Sequence, residues 1–243
     1  MKIKITVSYD GTEFCGWQRQ KNGRSVQQTL EEGIKKLTGE NVAVVGSGRT
    51  DAGVHANGQV ASFQTASDIP AENFAKAINT VLPKDLKVIK SERVADDFNA
   101  LKNTRKKTYI YKTYISDVEK PLLERYAHRI YGNIDVEKMK TAAAMLVGEH
   151  DFKAFSATGG GAKTSTRRIY ALDITKKEQE LYFVITGNGF LYNMVRVIVG
   201  TLIKIGKGQT DAEVINAMLK SGKRELGGET VPAKGLCLWN VEY

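Results

Sequence analysis

Cysteine is scarce, with Cys15 and Cys237 the only two in 243 residues. They show no CxxC spacing and no grouping with the three histidines, so neither a disulfide framework nor a metal site is expected. Cysteines this sparse suit a reducing cytoplasm, which is the expected location. Long apolar runs are also missing, and every apolar stretch falls well short of a membrane span, so no membrane association is expected. The opening MKIKITVSYDG alternates Lys2, Lys4 and Thr6 with Ile3, Ile5 and Val7, which is strand patterning rather than the apolar core of a signal peptide. Proline is rare, at four residues, and no low-complexity segment or long linker interrupts the chain.

What the chain has in excess is positive charge. A formal net charge of +9 favours a polyanionic partner, because each phosphate neutralised by Lys or Arg releases condensed counterions. Placement sharpens that reading. Lys102, Arg105, Lys106 and Lys107 form a tight run beside Tyr109, Tyr111 and Tyr114, and Lys163, Arg167 and Arg168 form another. Cations for the backbone beside aromatic faces for unpaired bases are what single-stranded or loop RNA requires.

The periodicities divide the chain into two similar series. Ser25 with Gln28 three residues on is a capping signal, and Val26, Leu30, Ile34 and Leu37 repeat at helical spacing up to Gly39. VAVVGSG and QVASFQT predict strands, AENFAKAINTVL a helix and DLKVIKSERV a strand. From Lys106 a similar order restarts with KKTYIYKTYI as strand, VEKMKTAAAMLVG as helix and RRIYALDITKKEQELYFVITG as a hairpin. FLYNMVRVIVGTLIKIG and DAEVINAMLKSG then predict helices, and GLCLWNVEY a last strand. In the first of these helices Phe190, Met194, Ile198 and Leu202 share one stripe and Arg196 lies off it, where a plain solvated charge would sit. The expectation is an α+β chain of two related halves, 1–105 and 106–243, hinged near 100–106.

One short stretch concentrates the chemistry. GSGRTDAGVHA, Gly46–Ala56, holds three glycines, Arg49, Asp51 and His55. A dinucleotide loop would need a third glycine where Asp51 stands, and a carboxylate there would repel pyrophosphate. No GxxxxGK[ST] occurs in the chain, so a P-loop is excluded as well. A tight turn remains possible on these residues, since glycine-rich loops between strands usually are only turns. The competing reading is a reactive carboxylate in a loop whose glycines let a substrate backbone approach, suited to covalent or electrostatic work at a sugar or base. His55 has no acid–base partner visible in the sequence and receives no catalytic role.

Four segments carry a family resemblance that spans essentially the whole chain. YDGTEFCGWQRQ at Tyr9–Gln20, GRTDAGVHA at Gly48–Ala56, FLYNMVR at Phe190–Arg196 and PAKGLCL at Pro232–Leu238 resemble the signatures of the tRNA pseudouridine synthase A family, in the family's order. The resemblance implies the pseudouridine synthase fold, with two related α/β halves, mainly antiparallel sheets joined into one extended sheet, helices packed on one face and an RNA cleft between the halves. It implies isomerisation of uridine to pseudouridine at positions 38, 39 and 40 of the tRNA anticodon stem-loop, by a homodimer that uses no cofactor. A non-catalytic RNA-binding protein is the alternative that keeps the basic residues without the chemistry. On the resemblance, Asp51 is the nucleophile and Arg196 its ion-pair partner, which would keep the carboxylate ionised. Arg49 would fill the space left by the flipped nucleotide. Tyr109 would stack on the uracil and could assist proton transfer, although Tyr111 lies close enough in sequence to compete for that role. Arg105, Lys106, Lys107 and Arg168 would grip tRNA phosphates.

Overall fold

The first strand, β1 (Lys2–Tyr9), buries Ile3, Ile5, Val7 and Tyr9 on one face, as its alternation requires. In this computed structural model, which describes all residues from Met1 to Tyr243, β1 lies between two antiparallel partners. They are β3 (His55–Gln64) and β4 (Leu86–Val94). A two-residue β2 (Val45–Gly46) pairs with β3 on its other side of the register. The helix α1 (Val26–Thr38) starts where the capping signal stands, with Ser25 Oγ accepting the Gln28 N–H at 3.3 Å. It stops at Gly39, whose φ of +79° is the left-handed turn that glycine accepts without strain. The second helix is shorter than its sequence suggests. A 3-10 turn at Ala71–Asn73 leads into α2, only Phe74–Ile78, and the following TVL leaves the helix. VAVVGSG likewise forms only the two-residue β2: Val42, Ala43 and Val44 precede it outside the strand, and Ser47 and Gly48 open the loop that carries Asp51.

Contacts divide the chain into two units, Met1–Arg105 with Cys237–Tyr243, and Lys106–Leu236. The last strand, β10 (Leu236–Glu242), was expected in the second half, yet from Cys237 onward it belongs to the first unit. It runs parallel to β3, with Cys237 opposite His55 and Leu238 opposite Ala56. Chain order misleads here because strand pairing, and not sequence proximity, decides which core a terminal strand completes.

In the second unit, β5 (Lys106–Ile115) pairs antiparallel with β9 (Glu180–Gly187), β9 with β8 (Thr166–Lys177), and β8 with β7 (Gly148–Asp151). A short β6 (His128–Ile130) runs parallel to β5. The expected hairpin is β8–β9, turned at Glu178, a non-glycine residue with φ +53°. Helix α3 (Val136–Ala144) packs on β8 and on α4 (Met194–Gly206), and α5 (Val214–Ser221) ends at the left-handed Gly222. The α4 helix departs from its expected single stripe. Met194, Ile198 and Leu202 are buried, but so are Val195, Val197, Val199, Thr201, Ile203 and Ile205. A helix apolar almost all round is a core helix, and its N-terminal turn is where Arg196 stands. Phe190 precedes it. Each unit is thus an α+β body with a mainly antiparallel sheet.

Candidate active site

In the first unit, the loop between β2 and β3 is held residue by residue. Ser47 N–H donates to the Val60 carbonyl at 2.7 Å, and Ser47 Oγ donates to Gln59 Oε1 at 2.6 Å. Gln59 Nε2 donates in turn to the Gly48 carbonyl at 3.0 Å. Two residues on, Trp17 N–H donates to the Thr50 carbonyl at 3.0 Å, while Tyr9 Oη and Thr50 Oγ1 share a hydrogen bond of 2.8 Å. The Asp51 carbonyl accepts from Val54 N–H at 3.1 Å, closing a turn whose Gly53 has φ +77°. Fixing Gly48 and Thr50 inward leaves Arg49 exposed and Asp51 half-buried. An exposed cation and a half-buried carboxylate therefore flank one buried threonine.

Gly46 does something other than expected. A Cβ on Gly46 would lie 2.4 Å from Cε2 of the Trp17 indole, so that glycine makes room for a core tryptophan rather than for RNA. Gly16 and Gly11, from the first signature, make room for the loop itself: a Cβ would fall 2.7 Å from the Thr50 carbonyl oxygen and 2.0 Å from that of Val54. YDGTEFCGWQRQ is thereby the bed on which GRTDAGVHA lies. His55 is buried and its Nδ1 accepts from Gly11 N–H at 3.0 Å, 3.2 Å from Asp10 Oδ1. It bolts β3 to the turn after β1. Asp10 also caps the 3-10 turn Gly11–Glu13, accepting from the Thr12 N–H at 3.0 Å.

In the second unit, the side chains of β5 are sorted by strand alternation. Tyr111 and Tyr114 are fully buried and Tyr109 is 8% exposed, so the basic run is not interleaved with open stacking platforms as its sequence implied. The alternation puts Tyr109 and Tyr111 on one buried face, while the other carries exposed Lys106, half-buried Lys112 and Tyr114, which is buried as well, so both faces are covered at the end of the strand. Tyr111 is also committed. Its hydroxyl donates to the Pro232 carbonyl at 2.8 Å, its ring lies against Gly235, and burial pushes its pKa up. Tyr109 meets Phe190 edge to face at 5.2 Å, an arrangement that fixes the ring plane. The Tyr111 hydroxyl is thus spent on the fold.

Arg196 is not a solvated helix charge. It is half-buried in the first turn of α4, where its Nε donates to the Val231 carbonyl and its Nη1 to Asn193 Oδ1, both at 2.7 Å. Asn193 precedes the helix with φ +60°, a left-handed conformation that asparagine tolerates better than most side chains. The planar guanidinium is thus aimed by a carbonyl on one edge and an amide on another. Sequence reading missed the carbonyls of Val231 and Pro232, since a backbone acceptor leaves no residue-type signal. Val231 directly precedes PAKGLCL and Pro232 opens it.

The grip residues differ among themselves. Arg105 is exposed at the end of the first unit, its N–H bonded to the Glu242 carbonyl at 2.8 Å. Lys106 Nζ lies 5.4 Å from the centre of the Tyr170 ring. Burial lowers the Lys107 pKa to about 8, with Arg167 adding to the effect. Arg168 stands opposite Glu149 in the β7–β8 pairing and forms an ion pair with it at 3.3 Å. No group of three or more His, Cys, Asp or Glu side chains is arranged to hold a metal ion, and no helix is long and apolar enough to cross a membrane.

Comparison with known proteins gives the family of this basic α+β chain. The family model described as tRNA pseudouridine synthase matches residues 5–118 and 142–243. A protein of Clostridium perfringens named tRNA pseudouridine synthase A 2 is 48% identical over 242 residues, covering 99% of each chain. Proteins named tRNA pseudouridine synthase A from Acetivibrio thermocellus and Clostridium botulinum are 44% and 47% identical, again over 99% of each chain. The chain belongs to the tRNA pseudouridine synthase family, and its activity is the isomerisation of uridine to pseudouridine in tRNA.

Proposed function

We propose that the uridines isomerised are those at positions 38, 39 and 40 of the anticodon stem-loop, that Asp51 is the nucleophile, and that the protein works in the cytoplasm as a homodimer. The observation that carries the site assignment is the clamped loop. Its bonds at Ser47, Gly48 and Thr50 leave Arg49 and Asp51 as the pair presented outward from a rigid bed. Arg49 takes the place of the flipped nucleotide, and unstacking of a few kcal/mol is offset by stacking within the protein. Arg196 serves as counter-charge to the Asp51 carboxylate and Tyr109 stacks on the uracil, roles that rest on the family resemblance.

In the reaction the C1′–N1 bond breaks, the freed uracil turns, C1′ joins C5, and the proton on C5 leaves to solvent. The carboxylate either adds to C6 of the base and leaves once C1′ is joined to C5, or takes part at C1′, as a ribosyl ester that C5 displaces as the new bond forms or by a glycal route. Atoms and electrons balance without an external donor. Acceptance of three adjacent positions requires recognition of shape and phosphates more than base edges, which the basic residues Arg105, Lys106, Lys107 and Arg168 supply. The test uses tRNA labelled with 5-tritiated uridine at one of the three positions at a time. Tritium release at each of them supports the assignment, and release confined to other uridines overturns it.

A further inference from the structure

The loop's bed contains polar atoms that packing alone does not call for. Tyr9 is 4% exposed at the inner end of β1, surrounded by Phe14 at 6.2 Å and Trp17 at 6.5 Å between ring centres. Phenylalanine would fill that space, and a phenol taken out of water is unfavourable unless it is bonded. Burial does push the Tyr9 pKa up, while bonding to Thr50 and Gln59 pulls it partly back. Both partners belong to the loop's anchorage. Gln59, fully buried on β3, holds Ser47 Oγ and the Gly48 carbonyl, and Thr50 sits between Arg49 and Asp51. Trp17 N–H fixes the Thr50 carbonyl, but nothing except the Tyr9 hydroxyl is seen to fix the threonine's side chain.

We propose that Tyr9 is a positioning residue for the isomerisation, its hydroxyl acting through Thr50 Oγ1 to set the orientation of the neighbouring Asp51 carboxylate. Thr50 rotated about χ1 would let its backbone rock, and Asp51, attached to it directly, would swing with it. A displacement of about 1 Å in a reacting group can lower a rate on the order of a hundredfold. The role is exerted on the chemical step, so the substrate's affinity is untouched. The inference rests on Asp51 being the nucleophile.

The experiment measures single-turnover tritium release from 5-tritiated uridine tRNA, tRNA binding and thermal unfolding for Tyr9→Phe, Thr50→Val and the double variant. Ser91→Ala is the comparison, because Ser91 is a buried hydroxyl of the same unit that accepts the Ala75 N–H at 2.8 Å, away from the loop. Tyr9→Phe and Thr50→Val are each expected to slow the single-turnover rate roughly tenfold or more, with tRNA binding within about twofold. The double variant should be no slower than the slower single variant, since both remove one interaction. Ser91→Ala should lower the unfolding temperature and leave the rate unchanged. A Tyr9→Phe rate within about twofold of the parent, or a rate loss matched by Ser91→Ala at equal destabilisation, overturns the proposal. Should Tyr9→Phe fail to fold, the Thr50→Val rate decides in the same way. Turnover persisting in Asp51→Ala would instead remove the nucleophile assignment, whatever Tyr9→Phe does.

Discussion

The two units hold their candidate site residues by different means. In the first, Arg49 and Asp51 stand on a loop whose shape is imposed by buried side chains: Gln59 on Gly48, Tyr9 on Thr50, Trp17 against Gly46. In the second, Tyr109 and Arg196 stand on a strand and on a helix start, where backbone shares the work with side chains: the Val231 carbonyl and the Asn193 amide for Arg196, the pairing of β5 with β9 and the Phe190 ring for Tyr109. A loop needs a dedicated polar bed because its own backbone supplies too few hydrogen bonds. A strand or helix terminus inherits its precision from the ladder that builds it. The first unit should accordingly be sensitive to side-chain hydroxyl and amide losses, and the second to changes in the shape of the side chain that meets the carbonyl.

Arg196→Lys offers the sharpest test of the second mode. Lysine keeps the charge but cannot bond the Val231 carbonyl and Asn193 together, so a loss of about 1.5–3 kcal/mol is expected, read as a roughly ten- to hundredfold slower tritium release. Full activity in Arg196→Lys would show that charge alone suffices. Tyr111→Phe should act on stability instead. It strands the Pro232 carbonyl and should lower unfolding free energy by about 1–2 kcal/mol in a urea titration, leaving the single-turnover rate of the folded enzyme near that of the parent. A large rate loss there with unchanged stability would move the active-site tyrosine from Tyr109 to Tyr111. The smallest effects are expected at the surface. Arg105→Ala should reduce the salt slope of tRNA binding by about one contact, whereas Arg168→Ala should change it less because Glu149 already neutralises that arginine. Equal slopes for the two variants would show that tRNA displaces Glu149.

The same contrast explains what could be read in advance. Helix α1 was legible to its caps, because Ser25, Gln28 and Gly39 each act within a turn of themselves. The β5 strand and the β8–β9 hairpin were legible because alternation is local. The short α2, the near-complete burial of α4 and the return of the last strand to β3 were not, since each is decided by tertiary neighbours. At the site, residue types singled out Arg49 and Asp51, and the family resemblance alone singled out Arg196, while Gly46, read with its neighbours as room for RNA, in fact yields to Trp17. The bonds from Tyr9, Gln59 and the carbonyls of Val231 and Pro232 join residues far apart in sequence, and no spacing rule connects them.

The central claim is that the clamped loop presents Asp51 as nucleophile. It is tested most directly by incubating Asp51→Ala with tRNA carrying 5-tritiated uridine in the anticodon arm, measuring released tritium and free uracil together with tRNA binding. The account predicts binding within a few-fold of the parent, no tritium and no uracil, against tritium without uracil for the parent enzyme. Tritium release by Asp51→Ala at the parent's rate would contradict it, and free uracil from the parent enzyme would replace isomerisation with base release.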